Sequence, residues 1–123
     1  MEEPTSISLR YENLTLSSAS VRERDTLHVE LDVTNSGARA GAEVVQFYVR
    51  PPQGPKRVLR AFRRIPLGAG AKERVSVDLA VTDLAHYDPK SKRNVVDPGS
   101  YELLVGASSA DIRSRATFEV TPR

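Results

Sequence analysis

No cysteine occurs among the 123 residues. Its absence excludes a disulfide framework, a thiolate zinc site and a cysteine nucleophile. Tryptophan is also missing, and only four tyrosines and three phenylalanines are present. Carbohydrate platforms present coplanar aromatics for sugar rings to stack on, and this composition is poor in them. No apolar run approaches the ~20 residues needed to cross a bilayer as a helix, so no membrane partner is expected. The first residues, MEEPTS, are acidic and polar and do not read as a secretory signal; nothing in the chain sets its compartment. The net charge of +2 is too small and too spread out to argue for nucleic acid. There are two histidines, His28 and His86. Neither has a second histidine or a carboxylate at a ligand spacing in the sequence, so no metal or other cofactor is expected.

What is present is alternation. In the stretch 26–50, Leu27, Val29, Leu31 and Val33 alternate with His28, Glu30, Asp32 and Thr34. A period of two marks a strand with one face in a core and one in water. Asn35, Ser36 and Gly37 interrupt it, and a second run follows from 42 to 49, in which Val45, Phe47 and Val49 form one face. Val44, Gln46 and Tyr48 form the other. That face is partly apolar too, which predicts a central strand or one covered on its outside.

The same reading applies along the chain. Residues 7–16 carry Ile7, Leu9, Tyr11, Leu14 and Leu16 with a shift of phase near Glu12 and Asn13, as two short strands or one bulged edge strand would. Three prolines in 51–55 make a loop. A strand-like segment rich in arginine resumes at 57–67, and Val75, Val77, Leu79 and Val81 form a clean strand after the Gly68 and Gly70 turn. Residues 82–87 are expected to make one helical turn capped by Thr82 or Asp83. An exposed loop is expected over 88–98. Strands beginning at Tyr101 and spanning 112–120 complete the set, the last with Ala116, Phe118 and Val120 inward. Seven or eight strands with turn signals about every ten residues and no long helix predict an all-β chain, an immunoglobulin or fibronectin type III-like antiparallel sandwich. The sandwich is expected over 7–121, with 1–6 a disordered or appended N-terminus.

Four stretches, taken together and in order, carry a family resemblance: VTNSGARAGAEVVQFYVR (33–50), LRAFRRIPLGAG (59–70), VTDLAHYD (81–88) and DPGSYELLVGASSADIR (97–113). The chain resembles the fibronectin type III-like domain at the C-terminus of family 3 glycoside hydrolases, the β-glucosidase and β-xylosidase group. Pro98 and Gly99 before Tyr101 resemble a tyrosine corner, Asn35 and Gly37 suit left-handed backbone in a turn, and Gly106 suits a close backbone approach. Members often carry a proline and an acid where this chain has Ala69 and Ala71, and an aromatic where it has Asn94. The glycine-rich stretch that joins the module to the preceding domain is not found before Ile7.

The resemblance implies a non-catalytic accessory domain, since the family's catalytic Asp and Glu belong to other domains and match no position here. Most acids, among them Glu30, Asp32, Asp78, Glu102 and Glu119, fall on alternating outward positions, not in the paired arrangement that glycoside hydrolysis requires. Asp83, Asp88 and Asp97 read as turn caps more readily than as calcium ligands. The partners implied are the catalytic domains of a parent glycoside hydrolase. The alternative is a polysaccharide-binding or cell-surface sandwich without a catalytic partner. Charge patterning supplies the candidate surface: 44–72 holds no acid, while Arg50, Lys56, Arg57, Arg60, Arg63, Arg64 and Lys72 are basic. Mixed with Tyr48 and Phe62, such a segment has the composition of a domain contact, and equally of a charged edge strand that resists edge pairing. The candidate interdomain interface therefore comprises Tyr48, Lys56, Arg57, Arg60, Phe62, Arg63 and Arg64, with Lys90, Lys92 and Arg93 in an exposed loop. The loops 56–57 and 90–94 are the candidates for shaping an active-site rim.

Overall fold

The computed structural model describes residues 9–38, 40–52 and 57–122. The expected boundary between 6 and 7, the Ile7 end of the first strand, and Lys56 lie outside them.

Among the described residues, ten strands follow in chain order: β1 (Leu9–Leu16), β2 (Ser20–Val21), β3 (Thr26–Asn35), β4 (Gly41–Arg50), β5 (Val58–Leu67), β6 (Lys72–Ala80), β7 (His86–Asp88), β8 (Arg93–Val95), β9 (Gly99–Ser108) and β10 (Asp111–Val120). One layer is the three-stranded sheet β1-β3-β6, and the other the five-stranded sheet β2-β10-β9-β4-β5. The strands β7 and β8 pair only with each other. The alternating rows close between the layers. Leu27, Val29, Leu31, Val33, Val75, Val77 and Leu79 face Val45, Phe47, Val49, Leu103, Val105, Phe118 and Val120 in one buried cluster. Burial of this kind is worth about 1.5–3 kcal/mol per large apolar side chain relative to leaving it in water.

The phase shift in the first strand is a bulge. Asn13 and Leu14 together oppose Leu31, and Asn13 takes the left-handed φ of 57°. A second bulge separates Phe47 from Tyr48 in the β4–β5 pairing, where Arg60 is the extra residue between Leu59 and Ala61. The strand β4 is central, between β9 and β5, as its two apolar faces predict. Its neighbour β5 is an edge, which is how Pro66 is tolerated within it. Gly106 lies where β9 meets the β10 irregularity. A Cβ there would come within 2.1 Å of the Asp111 carbonyl oxygen, so only glycine fits.

Three expectations are corrected. Asn35 does not turn the chain in left-handed backbone; it ends β3 and is fully buried. Its main-chain N–H donates to Ala71, its carbonyl accepts from Gly70, and its side-chain amide donates to Leu67. The left-handed glycine that meets Asn35, Gly70 at φ 77°, belongs to the separate turn between β5 and β6, and Gly37 is not left-handed either. The helical turn is a 3-10 helix over Val81–Leu84, preceded by Ala80 with no side-chain cap, because Val81 and Leu84 are drawn into the core. The span 88–98 is not simply a loop. It contains half of the β7–β8 ribbon, whose turn Asp88 caps by accepting from the Lys90 N–H at 3.1 Å and the Ser91 hydroxyl at 3.1 Å.

Candidate interdomain interface

A sandwich offers two outer faces, and here they differ in kind. On the three-stranded sheet the outward rows are polar and pair with one another. The Arg74 guanidinium, from β6, donates to Glu30 and Asp32 of β3, each at 3.0 Å, and Asn13 donates to Asp32 at 2.8 Å. His28 stands between Asp78 at 2.5 Å and Glu30 at 2.7 Å. Hydrogen bonds donated to Asp78 and then Glu30 hold the imidazole above its usual range. His28 and Arg74 hold the Glu30 carboxyl below its own, and Asn13 and Arg74 do the same for Asp32. Each histidine nevertheless finds a carboxylate in the fold, since His86 also meets Asp97 at 2.8 Å. The partners Asp78 and Asp97 come from other segments, which sequence spacing does not reveal. No group of three histidine, aspartate or glutamate side chains among the described residues could hold a metal ion. Exposed pairs of this sort are screened by solvent and add little to stability; their main consequence is that the middle of this face is locally neutralised.

The outer face of the five-stranded sheet is built differently. Its outward positions on β4 are Val44, Gln46, Tyr48 and Arg50, and their partners on β5 are Arg64, Phe62 and Leu59. Next to them on β9 is Leu104, opposite Tyr48 on one side and Arg115 on the other. Leu104 is completely buried and Tyr48 nearly so, yet neither belongs to the inter-sheet core. They form the floor of a second apolar layer. The Tyr48 hydroxyl donates to Gln46, whose side-chain amide donates to the Ala107 carbonyl at 2.9 Å. Glu102 is the acid of this region. It pairs with Arg50 at 2.8 Å and stands 3.7 Å from Arg115.

Beyond that floor the apolar surface opens to solvent. Phe62 is 59% exposed and Leu59 43%, and of the five exposed large hydrophobics among the described residues, four lie on β4 and β5. Arg60 projects at the bulge, Arg63 opposes Val45 on the inward side of the edge, and Arg64 opposes Val44. None of the three makes an ion pair among the described residues; Arg63 donates to the Phe62 carbonyl at 3.0 Å. Arg57 donates to the carbonyl of Ser109. Of the residues expected from sequence, Tyr48, Arg60, Phe62 and Arg64 thus share one region. Lys90, Lys92 and Arg93 are on the separate β7–β8 ribbon, where Lys92 takes the left-handed φ of 58° in the turn. The beginning of the β4–β5 connection nevertheless lies near that ribbon's exit, since a Cβ on Gly99 would meet Pro52 at 3.3 Å.

Sequence reasoning missed Leu104, Leu59, Val44 and Gln46 as members of the surface. The adjacent Leu103 and Leu104 were the available signal, because consecutive leucines in a strand must point to opposite faces.

An open hollow of about 950 Å³ lined by 20–25, Thr121 and Pro122 brings Glu23 and Asp25 to one place. The Asp25 carboxylate there accepts from the Arg22 N–H at 2.8 Å and closes the turn before β3.

Comparison with known proteins agrees with this architecture. Residues 43–109 match the profile of the fibronectin type III-like domain. A β-glucosidase of Rhizobium radiobacter is 42% identical over 100 residues, which are 78% of this chain and 12% of that protein. The probable beta-glucosidase L of Aspergillus terreus is 38% identical over 96 residues, 75% of this chain and 13% of its own. In solved structures, beta-glucosidase 3B of Thermotoga neapolitana in complex with α-D-glucose superposes with a TM-score of 0.84 at 36% identity, over 94% of this chain and 16% of that one. The beta-glucosidase of Listeria innocua superposes with a TM-score of 0.81 at 27% identity, over 95% of this chain and 16% of its own. The chain therefore spans roughly an eighth of the length of the curated relatives it matches. It belongs to the fibronectin type III-like domain family, in the form that β-glucosidases carry as one segment of a longer chain.

Proposed function

We propose that this chain is a non-catalytic accessory module that packs on the catalytic domains of a family 3 β-glucosidase, stabilising them and shaping the rim of their active site through one of its loops. The observation that carries this reading is the asymmetry of coverage: solved β-glucosidases match 94% of this chain with only 16% of their own. The module's interior supports it. Inward rows of Val, Leu, Phe and Tyr fill the space between the sheets, most acids stand on outward rows or in turns, and Glu43, at the end of the inward row of β4, accepts from the Tyr11 hydroxyl at 2.7 Å. Glycoside hydrolysis needs two carboxyls across a sugar-sized cleft, one of them held protonated. The candidate rim loops are 56–57 and 90–94, the second lying in the β7–β8 ribbon, which carries the exposed Tyr87 opposite Asn94. A free-standing polysaccharide platform is the weaker reading, because Tyr11, Phe47, Tyr101 and Phe118 are spent in the core.

The test is a chimera. The matching segment of the Rhizobium radiobacter enzyme is deleted, or replaced by this chain. The deletion is expected to lower both melting temperature and turnover of an aryl β-glucoside, and the replacement to restore both. A replacement no better than the deletion, or a purified chain that cleaves the glucoside unaided, overturns the reading.

A further inference from the structure

We infer that the outer surface of β4 and β5, centred on Phe62 and Leu59 and bordered by Arg60 and Arg64, is the face that docks, and that the catalytic part of a β-glucosidase meets it with an apolar patch rimmed by carboxylates. This rests on the accessory reading above and names the contact within it.

Three observations select this face over the rest of the surface. The first is its layering. Leu104 and Tyr48 are buried on the outside of the sheet without joining the core, and Leu59, Phe62 and Val44 extend that layer into solvent. Isolated exposed apolar residues are ordinary on any protein, but a contiguous apolar layer over a buried floor is the anatomy of an interface centre. The second is charge. Arg60 and Arg64 project beside the patch without an ion-pair partner among the described residues, and Glu102, the nearby acid on β9, is taken by Arg50. On the opposite outer face the two central cations, Arg74 and His28, are already held by Glu30, Asp32 and Asp78. The third is the arrangement of the two kinds of residue. A polyanion such as nucleic acid would be read by cations with phosphates on them. Here Phe62, Leu59 and Val44 lie over the buried Leu104 and Tyr48, with the guanidiniums interspersed along the same edge strand, and a mixed apolar and arginine surface is how proteins meet proteins. The occupant follows from length. In the solved relatives this fold is 16% of a chain, so the remainder, which contains the catalytic domains, is covalently beside it.

The experiment uses the chimera described above and three substitutions within it. Phe62→Glu places a charge in the centre of the patch, Arg64→Glu reverses its margin, and Ser76→Arg alters the opposite face. Phe62 is exposed enough that its replacement leaves the module itself folded, which circular dichroism of the free chain checks. Amide hydrogen exchange is compared between the free chain and the chimera. Backbone amides of β5 are expected to slow at least ~10-fold in the chimera, since a central aromatic anchor is commonly worth that much or more in affinity. That protection is expected to disappear with Phe62→Glu, to weaken with Arg64→Glu and to persist with Ser76→Arg. An active chimera whose new protection falls on β1, β3 and β6, or in which Phe62→Glu is tolerated as well as Ser76→Arg, overturns the face while leaving the accessory reading intact. A chimera without activity overturns both. A free chain that sediments as a dimer through Phe62, with no protection gained by β5 in the chimera, assigns the surface to a second copy and overturns the proposed partner.

Discussion

The Tyr101 hydroxyl donates to the main-chain carbonyl of Asp97, four residues upstream, at 2.7 Å. Tyr101 is fully buried, and its ring stacks on Phe118 with centroids 5.5 Å apart. The bond therefore ties the β8–β9 connection to the start of β9 from inside the core, and burial pushes the phenol above its usual range.

Replacing Tyr101 with Phe keeps the stack and removes the bond. The Asp97 carbonyl loses a buried donor, which costs about 1–2 kcal/mol. Urea unfolding of the variant is expected to show a lower midpoint with an unchanged slope. An unchanged midpoint would mean that the corner contributes no stability.

The same Asp97 holds His86 with its side chain, and that hydrogen bond raises the imidazole above its ordinary value of 6.5. A raised folded value means that the protonated form is favoured by folding. The stabilisation is fully present below the unfolded value and fades as pH rises through the folded one. Asp32 and Glu30 behave oppositely: their lowered values stabilise the fold above the ordinary carboxylate range, and this is lost as pH falls through the folded values. NMR titration is expected to place the midpoints of both His28 and His86 above 6.5. In Asp97→Asn the His86 midpoint returns toward that value while His28 does not move.

Gly106→Ala is expected to be the most damaging small change in the chain. The new Cβ would stand 2.1 Å from the Asp111 carbonyl oxygen and 2.8 Å from the Ile112 Cα, both backbone atoms. The β9–β10 pair must part to admit it, at a cost of about 3 kcal/mol or more. Thermal melting of Gly106→Ala against Gly68→Ala, where a Cβ meets nothing within 4 Å, checks this.

Two phenylalanines separate packing from surface. Phe47→Ala empties a fully buried site between the sheets and is expected to cost about 3–5 kcal/mol. Phe62→Ala on the outer edge is expected to change the stability of the free chain by less than ~0.5 kcal/mol. Chemical unfolding of both variants measures the difference, and a large loss in Phe62→Ala would show that this ring supports the fold itself.

What the sequence determined by itself was the alternation, and with it the strands, their inward rows and the sandwich. Leu27 to Val33 on β3 and Val75 to Leu79 on β6 needed no partner to declare a buried side, because a pleated strand has two faces and only one was apolar. The stretch around Pro98, Gly99 and Tyr101 announced its corner for a similar reason: the hydroxyl and its acceptor are four residues apart. Only the tertiary structure decided what faces what across the chain. His28 acquires Asp78 from 50 residues away. Asn35 is buried against Leu67 and not turned outward. The polar span after Tyr87 folds back as a ribbon because Asp88 closes its turn. Leu104 is the clearest case, since its outward position could be read from Leu103 beside it, whereas its burial depends on β4 and β10 being its neighbours. Periodicity assigns a residue to a face; cross-strand register and the ordering of strands in the sheet decide what covers that face.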